Sequence, residues 1–317
     1  MKFRSVIPGN IPPGTDLVFY LSKRFTYHTK EEWAGILESG SVELDGHRAG
    51  AEEKVFPGSV IVYDPGEFQE PPADLSYRII YEDEWFIGVS KPGNLLVHRA
   101  GKSFRNNLIY QLRYVHEPPY PFAHAAHRLD RDTSGVVLIA KSSSARAEAG
   151  RLFAEGLVEK EYVAIVHNLF DSRIRRISLP IKKDMFSSIS YKVGVDLDGK
   201  KAVTDILGVT AIGNRHSLIT VKPLTGRTHQ IRIHLAAVGN GIVGDKLYGM
   251  SEDSYKRWRE NPSAHTLSFH RHALHCRLIS FIHPFTNTRC VIECDMPDDM
   301  KGLLEELRRG GEKITGS

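Results

Sequence analysis

The sequence predicts an α+β protein. A large domain over residues 75–317 is expected on a mixed, largely antiparallel sheet, preceded by a small α/β module over residues 15–68. Three observations predict this. Strand-like and helix-like apolar runs follow one another without regular βαβ alternation, which disfavours a parallel doubly wound sheet. Two prolines among polar residues at 69–74 mark a linker. The 317 residues suffice for one large domain and a small one.

The elements follow in order. A proline-rich lead-in (Pro8, Pro12, Pro13) comes first. Leu17, Tyr20, Leu21 and Phe25 fall on one face of a helix expected over 17–27. Thr29 is the expected N-cap of a second helix, with Glu31 and Glu32 in its first turn, Trp33, Ile36 and Leu37 on its inner face, and Gly40 at its end. SVELDG and SVIVYDP read as strands, and Asp45-Gly46 is a hairpin-type turn signal. In the large domain, RIIYEDEWFIGVSKPG reads as a two-strand hairpin and SGVVLIAKS (134–142) as a buried strand. A helix capped by serines is expected over 142–156, carrying Leu152 and Phe153. EYVAIVHNLF and SLITVKPL (217–224) are strands, and RCVIECDM is a late one. GRTHQIRIHLAAVG passes from a turn into a short helix ended by Gly239, and a last helix is expected over 297–309. No internal repeat or low-complexity stretch is visible.

Composition narrows the function classes. Hydrophobic residues are 41% and charged residues 25%, which excludes a disordered or collagen-like chain. Lys plus Arg number 42 against 38 Asp plus Glu, a net charge of +4 that excludes a histone-like binder. The charge is uneven. Residues 1–70 hold 7 basic and 11 acidic side chains, a balance of −4, and the remainder is +8. Any nucleic-acid surface is therefore expected mostly on the large domain, with local help from Lys23, Arg24 and Arg48. Cys276, Cys290 and Cys294 are too few for a secreted disulfide framework. The first residues lack the apolar core of a signal peptide, and no apolar run approaches the roughly 18 residues of a membrane span. A cytoplasmic protein without membrane contact is expected.

Two segments concentrate chemistry. In AHRLDRDTSGVVLIAKS (126–142), Asp130 and Asp132 stand directly before a buried strand. Loop solvation accounts for such charges; a carboxylate fixed at a rigid strand entrance is the alternative. In VKPLTGRTHQIRIHLAAVGNGIVGDKLYG (221–249), Arg227, His229, Arg232 and His234 crowd together. A solvated helix face suits Arg227 better than Arg232, which sits between Ile231 and Ile233. Arginines at this density suit phosphates and buried ion pairs. His265, His270, His272, His275, Cys276, Cys290 and Cys294 raise a zinc possibility. They lack paired CxxC spacing, and Cys290, Ile292 and Cys294 alternate like a strand face, so no metal is expected.

HRLDRDTSG (127–135) resembles the signature of the RluA-type pseudouridine synthases. TGRTHQIRIHL followed by GDKLYG, KPGNLLVH (91–98), KEYVAIV (160–166) and HALHC…FIHP (272–284) resemble further blocks of that family. The blocks occur in the family's order and cover residues 80–300. Residues 15–65 resemble the small RNA-binding module of the ribosomal-protein S-four type. Asn240-Gly241 and Cys276 depart from the family pattern.

The resemblance implies isomerisation of uridine to pseudouridine in RNA, with no cofactor and no metal. It makes Asp130 the nucleophile and leaves open whether Asp130 attacks sugar or base. Arg232 is the arginine that keeps it charged. Tyr162 stacks on the target base and is a candidate to take the carbon-5 proton; a core strand tyrosine is the alternative. Arg128 helps displace the target nucleotide, beside His127, a packing or backbone-bonding residue. Arg227 touches phosphate, and Lys91 lines the cleft, with a surface turn the alternative. Asp132 is expected to be structural or solvated, and Asp245 and Tyr248 to be structural turn and packing groups. The expected partner is large-subunit ribosomal RNA, with transfer RNA the alternative, and the expected state is a monomer. Two rival classes are a non-catalytic RNA-binding or ribosome-assembly protein and a glycoside hydrolase using two carboxylates.

Overall fold

The structure is a computed structural model that describes residues 2–25, 27–64, 70–261 and 269–312. Its chain divides into two units: Met1–Pro72 with Arg99–Arg105, and Ala73–His98 with Asn106–Ser317.

In the first unit two short helices, Leu17–Arg24 and Lys30–Glu38, bury Leu17, Leu21, Trp33 and Leu37. Their starts are set by side chains that satisfy otherwise unpaired amide groups. Asp16 accepts from the Phe19 amide. Thr29 and Glu32 form a reciprocal capping box, Glu32 N–H to Thr29 Oγ1 at 3.1 Å and Thr29 N–H to Glu32 Oε2 at 2.7 Å. The first helix ends before the expected 27, because Phe25 has left helical geometry (φ −122°, ψ 76°).

A four-stranded sheet packs with these helices in the order Phe3–Val6, Val60–Tyr63, Val42–Leu44, His47–Arg48. Asp45 and Gly46 both have positive φ (49° and 87°), as the tightest hairpin turn requires. That turn leads into His47–Arg48; the SVIVYDP strand pairs on the other side of Val42–Leu44. Phe3–Val6 is a strand where sequence reading placed only a lead-in. Arg99–Arg105 joins this unit through Phe104, stacked 4.6 Å from Phe3, and through Arg99, 4.5 Å over the same ring.

The second unit is built on a ten-stranded sheet. Its path runs Arg176–Ser178, Val203–Ile212, His216–Pro223, Glu159–His167, Leu274–Ile282, Ser134–Ala140, Phe86–Lys91, Arg78–Glu82. Arg289–Glu293 pairs with Leu274–Ile282, and His124–Ala125 with Ser134–Ala140. All these pairings are antiparallel except one: Ser134–Ala140 runs parallel to Leu274–Ile282. The apolar run 136–140 is wholly buried, as a central strand covered on both faces must be. Gly135 makes the parallel contact possible. At φ 118° it lies so near the opposite backbone that a Cβ would sit 2.1 Å from the Cys276 carbonyl oxygen.

Helices Ser143–Ala154, Gln230–Ala237, Lys246–Gly249, Glu252–Glu260 and Asp298–Glu312 flank the sheet. Leu108–Tyr114, capped by Asn107, is a further helix that sequence reading did not mark. Val203–Ile212 and Leu274–Ile282 were also unmarked. The first alternates weakly, and His275 and Arg277 interrupt the second. Among the described residues no helix is long and apolar enough to cross a membrane.

Candidate active site

Asp130 sits in the loop between His124–Ala125 and Ser134–Ala140. The Thr133 amide donates to the Asp130 carbonyl at 3.2 Å, turning the chain back into the buried strand. The guanidinium of Arg271, only 2% exposed, braces this loop: it donates to the Asp132 carbonyl at 3.0 Å and to both carboxylate oxygens of Asp299 at 2.6 and 2.9 Å. The loop is thereby tied to the helix Asp298–Glu312.

Arg232 faces Asp130 from the first turns of Gln230–Ala237. Its Nη1 donates to Asp130 Oδ2 at 2.9 Å, while Nε and Nη2 grip Asp245 at 2.7 and 2.9 Å. Burial of Asp130 favours the neutral acid, but nearby positive charge outweighs it and holds the carboxyl below its ordinary 3.8. His229 also lies close, Nε2 3.8 Å from Asp130 Oδ2. Burial pulls that imidazole down to about 4, so it is neutral at pH 7. Arg232 is then the contacting charge that keeps Asp130 ionised. His229 itself holds a left-handed backbone (φ 55°, ψ 18°), and its Nδ1 meets the Tyr248 hydroxyl at 2.8 Å.

Tyr162 projects from Glu159–His167, opposite Cys276 on one neighbouring strand and Val221 on the other. Burial, first, and then the neighbouring Cys276 and Asp130 push its phenol well above the usual 10. The hydroxyl therefore keeps its proton at neutral pH. Asp130, Tyr162, Arg232, Arg128, Lys160 and Arg227 share the lining of one open cleft of about 850 Å³. The structure thus brings together the three residues named for chemistry.

The residues named for RNA contact divide. Arg128 is exposed at the cleft, with no hydrogen bond or ion pair to any described residue. Arg227 is exposed too, its Nε donating to the Lys201 carbonyl at 3.1 Å. His127 lines the cleft, but its Nε2 accepts the Leu138 amide at 3.1 Å and its ring stacks on Phe153. Burial pulls it down to about 3, so it offers no charge to a phosphate.

Lys91 is corrected outright. It is 1% exposed, and its ammonium donates to the carbonyls of Pro92, Leu95 and Arg131 at 2.8, 2.8 and 3.1 Å. All three protons are used inside the fold, so Lys91 holds the chain before the Asp130 loop and does not meet RNA. In the first unit, Lys23 and Arg24 are exposed, over Phe19 at 5.5 Å and Phe25 at 5.7 Å. Arg48 donates to the Glu38 carbonyl at 2.6 Å, closing the end of Lys30–Glu38.

Sequence reading gave Asp245 a turn role. It does cap Lys246–Gly249, accepting the Leu247 and Tyr248 amides, but it also fixes Arg232. Asp132 is held by Lys246 at 3.5 Å. Of the metal-like residues, His270 is exposed beside Asp299, while His272 and His275 are spent on structure. His272 meets Thr133 Oγ1 at 2.7 Å, and His275 meets Ser134 Oγ and the Cys294 carbonyl, each at 2.9 Å. The three cysteines are buried free thiols. Among the described residues no group of three such side chains is placed to hold a metal; His265 lies outside them.

The larger unit's fold is that of the pseudouridine synthases. The chain superimposes on the human RNA pseudouridylate synthase domain containing 1 with a TM-score of 0.53 at 23% identity, over 76% of this chain and 98% of that one. A family model for RNA pseudouridylate synthase matches residues 86–237. The chain is 32% identical over 306 residues to ribosomal large subunit pseudouridine synthase D of Pseudomonas aeruginosa, spanning 92% of each. It is 31% identical over 287 residues to ribosomal large subunit pseudouridine synthase C of Escherichia coli, spanning 86% of each. The chain belongs to the RluA family of RNA pseudouridine synthases and is an isomerase.

Proposed function

We propose that this enzyme isomerises uridines of large-subunit ribosomal RNA, with Asp130 as nucleophile, Arg232 as its counter-ion and Tyr162 against the target base. The Arg232–Asp130 contact at 2.9 Å in an open cleft is the observation that supports the chemical reading most strongly. It gives an ionised, partly desolvated carboxylate with a fixed direction, which is what nucleophilic attack needs.

The reaction balances without a cofactor. The bond from uracil nitrogen 1 to the sugar breaks, the base turns, and carbon 5 bonds to the same sugar carbon. Carbon 5 loses one proton and nitrogen 1 gains one. Asp130 holds the intermediate through a transient ester or adduct and leaves as the carboxylate it was. Tyr162, neutral at pH 7, stacks on the base; with so high a pKa it is a poor resting base for the carbon-5 proton. Arg128, without a hydrogen bond or ion pair to any described residue, fills the place of the extruded base, a step that costs a few kcal/mol of unstacking.

The ribosomal target is supported by the names of the relatives, which match this chain over 86–92% of its length. We read the first unit as an RNA-binding module of the S-four type. Its order of two helices then a hairpin supports this, as do the exposed Lys23 and Arg24. The test uses RNA carrying tritium at uridine carbon 5, presented separately as unmodified large-subunit ribosomal RNA and as transfer RNA. Tritium release from the ribosomal RNA alone is expected. Release from transfer RNA alone overturns the target, and release from neither overturns the activity on free RNA.

A further inference from the structure

The cleft holds more positive charge than its own acids can balance. Its lining carries three carboxylates, Asp130, Glu155 and Glu159, and five cations, Arg128, Lys160, Lys222, Arg227 and Arg232. Each carboxylate already has a partner: Asp130 has Arg232 at 2.9 Å, Glu155 has Arg151 at 2.8 Å and Glu159 has Lys222 at 2.7 Å. His127 and His229 are neutral. Arg128, Lys160 and Arg227 are left over.

Of these three, Lys160 is the anomaly. Arg128 and Arg227 are exposed and hydrated, and Arg227 has a carbonyl acceptor. Lys160 is half-buried, two residues before Tyr162 on the same strand, and makes no hydrogen bond or ion pair with any described residue. Its Nζ hovers over the Thr225-Gly226-Arg227 turn, 3.9 Å from where a Cβ on Gly226 would stand. The titratable groups that interact with it electrostatically are Cys276 and His127. Burial raises the Cys276 thiol to about 12, so it too is neutral. Burial also lowers the ammonium of Lys160 from its ordinary 10.5, the mark of a cation with no local counter-charge. A half-buried ammonium without an acceptor is costly to the free protein, and such a cost is retained where function needs it.

We propose that Lys160 receives a phosphodiester of the RNA strand entering the cleft and so anchors the target nucleotide beside Tyr162. A compact ammonium with three free donors suits a phosphate oxygen, whereas uracil is uncharged before reaction. The surplus cations Arg128 and Arg227 line the same cleft, so the strand meets three cations there that no cleft carboxylate pairs. This assignment rests on the RNA reading of the cleft.

The test compares wild type with Lys160→Met, which keeps the side chain's length and removes its charge. The probe is an unmodified transcript of large-subunit ribosomal RNA, with Kd measured across a salt series and tritium release followed in parallel. Loss of one charge-assisted phosphate contact is expected to raise Kd about tenfold. It also lowers the slope of log Kd against log salt by about one. The loss in kcat/KM falls mainly on KM. The free Lys160→Met protein melts higher than wild type, because an unpaired half-buried charge is gone. Lys160→Arg retains the salt slope. A lower melting temperature with Kd and slope unmoved makes Lys160 a packing residue and overturns the proposal. So does a fall confined to kcat, which moves Lys160 to the reacting atoms. If wild type binds the transcript without salt dependence, the RNA reading of the cleft and the Lys160 assignment fall together.

Discussion

Asp245 grips Arg232 with both carboxylate oxygens, at 2.7 Å to Nε and 2.9 Å to Nη2, and so leaves Nη1 to point at Asp130. The pair is nearly sealed from solvent, with side chains 8% and 2% exposed. Arg232 could otherwise swing between two carboxylates; the bidentate clamp removes that freedom. Asp245→Ala leaves a buried guanidinium half-paired, a change that typically costs about 3–5 kcal/mol. A lower urea midpoint and a fall in tritium release are expected together. Unchanged stability would show that the clamp is not what holds Arg232.

The acid side of the pH profile follows from Asp130. Its carboxyl is held below 3.8, so the charged form persists as pH falls and is lost only below the ordinary carboxylate value. His229, at about 4, adds no change of charge near neutrality. From about pH 7 down to about pH 5, kcat/KM should stay flat on the acid side. The Asp130 contribution to stability has the same sign: it is fully present above 3.8 and lost as pH falls through the lower folded value. An acid inflection between about pH 6 and 7 would mean that a raised carboxyl, a titrating histidine or Lys91, whose ammonium burial lowers to about 7, controls the rate.

Gly135 sets the one parallel strand contact next to the Asp130 loop. Gly135→Ala meets both a positive φ of 118° and the Cys276 carbonyl 2.1 Å away. Backbone must move, and a loss of about 3 kcal/mol is expected. Thermal melting beside tritium release checks it. A variant with wild-type stability would show that the parallel register is not as tight as it stands here.

Lys91→Met separates two roles for that lysine. With the ammonium gone, the Pro92 and Leu95 carbonyls lose its donor, at about 1–3 kcal/mol each before relaxation, while the Arg131 carbonyl keeps the Leu95 amide at 3.1 Å. Stability should fall sharply, while the RNA affinity of the protein that remains folded stays near wild type. A stable variant with weakened RNA binding would return Lys91 to the RNA surface.

Much of this was legible in the sequence, and the gaps have physical causes. Thr29 with Glu32, and Ser142 before an amphipathic run, are local signals, and both helices start where those residues say. The all-apolar run 136–140 names a central strand by itself. Asp130, Tyr162 and Arg232 stand in short motifs, so they could be named before their meeting was visible. Asp245 could not be paired with Arg232, because the contact spans a turn whose geometry no local pattern encodes. Arg271 and Asp299 are 28 residues apart and bond only because the segment before Leu274–Ile282 meets the first turn of Asp298–Glu312. Lys91 misled for the opposite reason: a lysine at a cleft-like turn looks solvent-bound until its carbonyl cage is seen. Val203–Ile212 escaped notice because its buried, half-buried and exposed positions do not alternate regularly, which blurs the pattern that marks a strand.

In the proposed reaction the ionised carboxylate of Asp130, held by Arg232, performs the isomerisation. Tritium release from carbon-5-labelled large-subunit ribosomal RNA, measured with wild type and Asp130→Asn alongside Kd for the same RNA, tests it most directly. Release is expected with wild type, none above background with Asp130→Asn, and Kd within a few-fold of wild type for the variant. Release by Asp130→Asn at a rate near wild type would contradict it, whatever the geometry around Arg232.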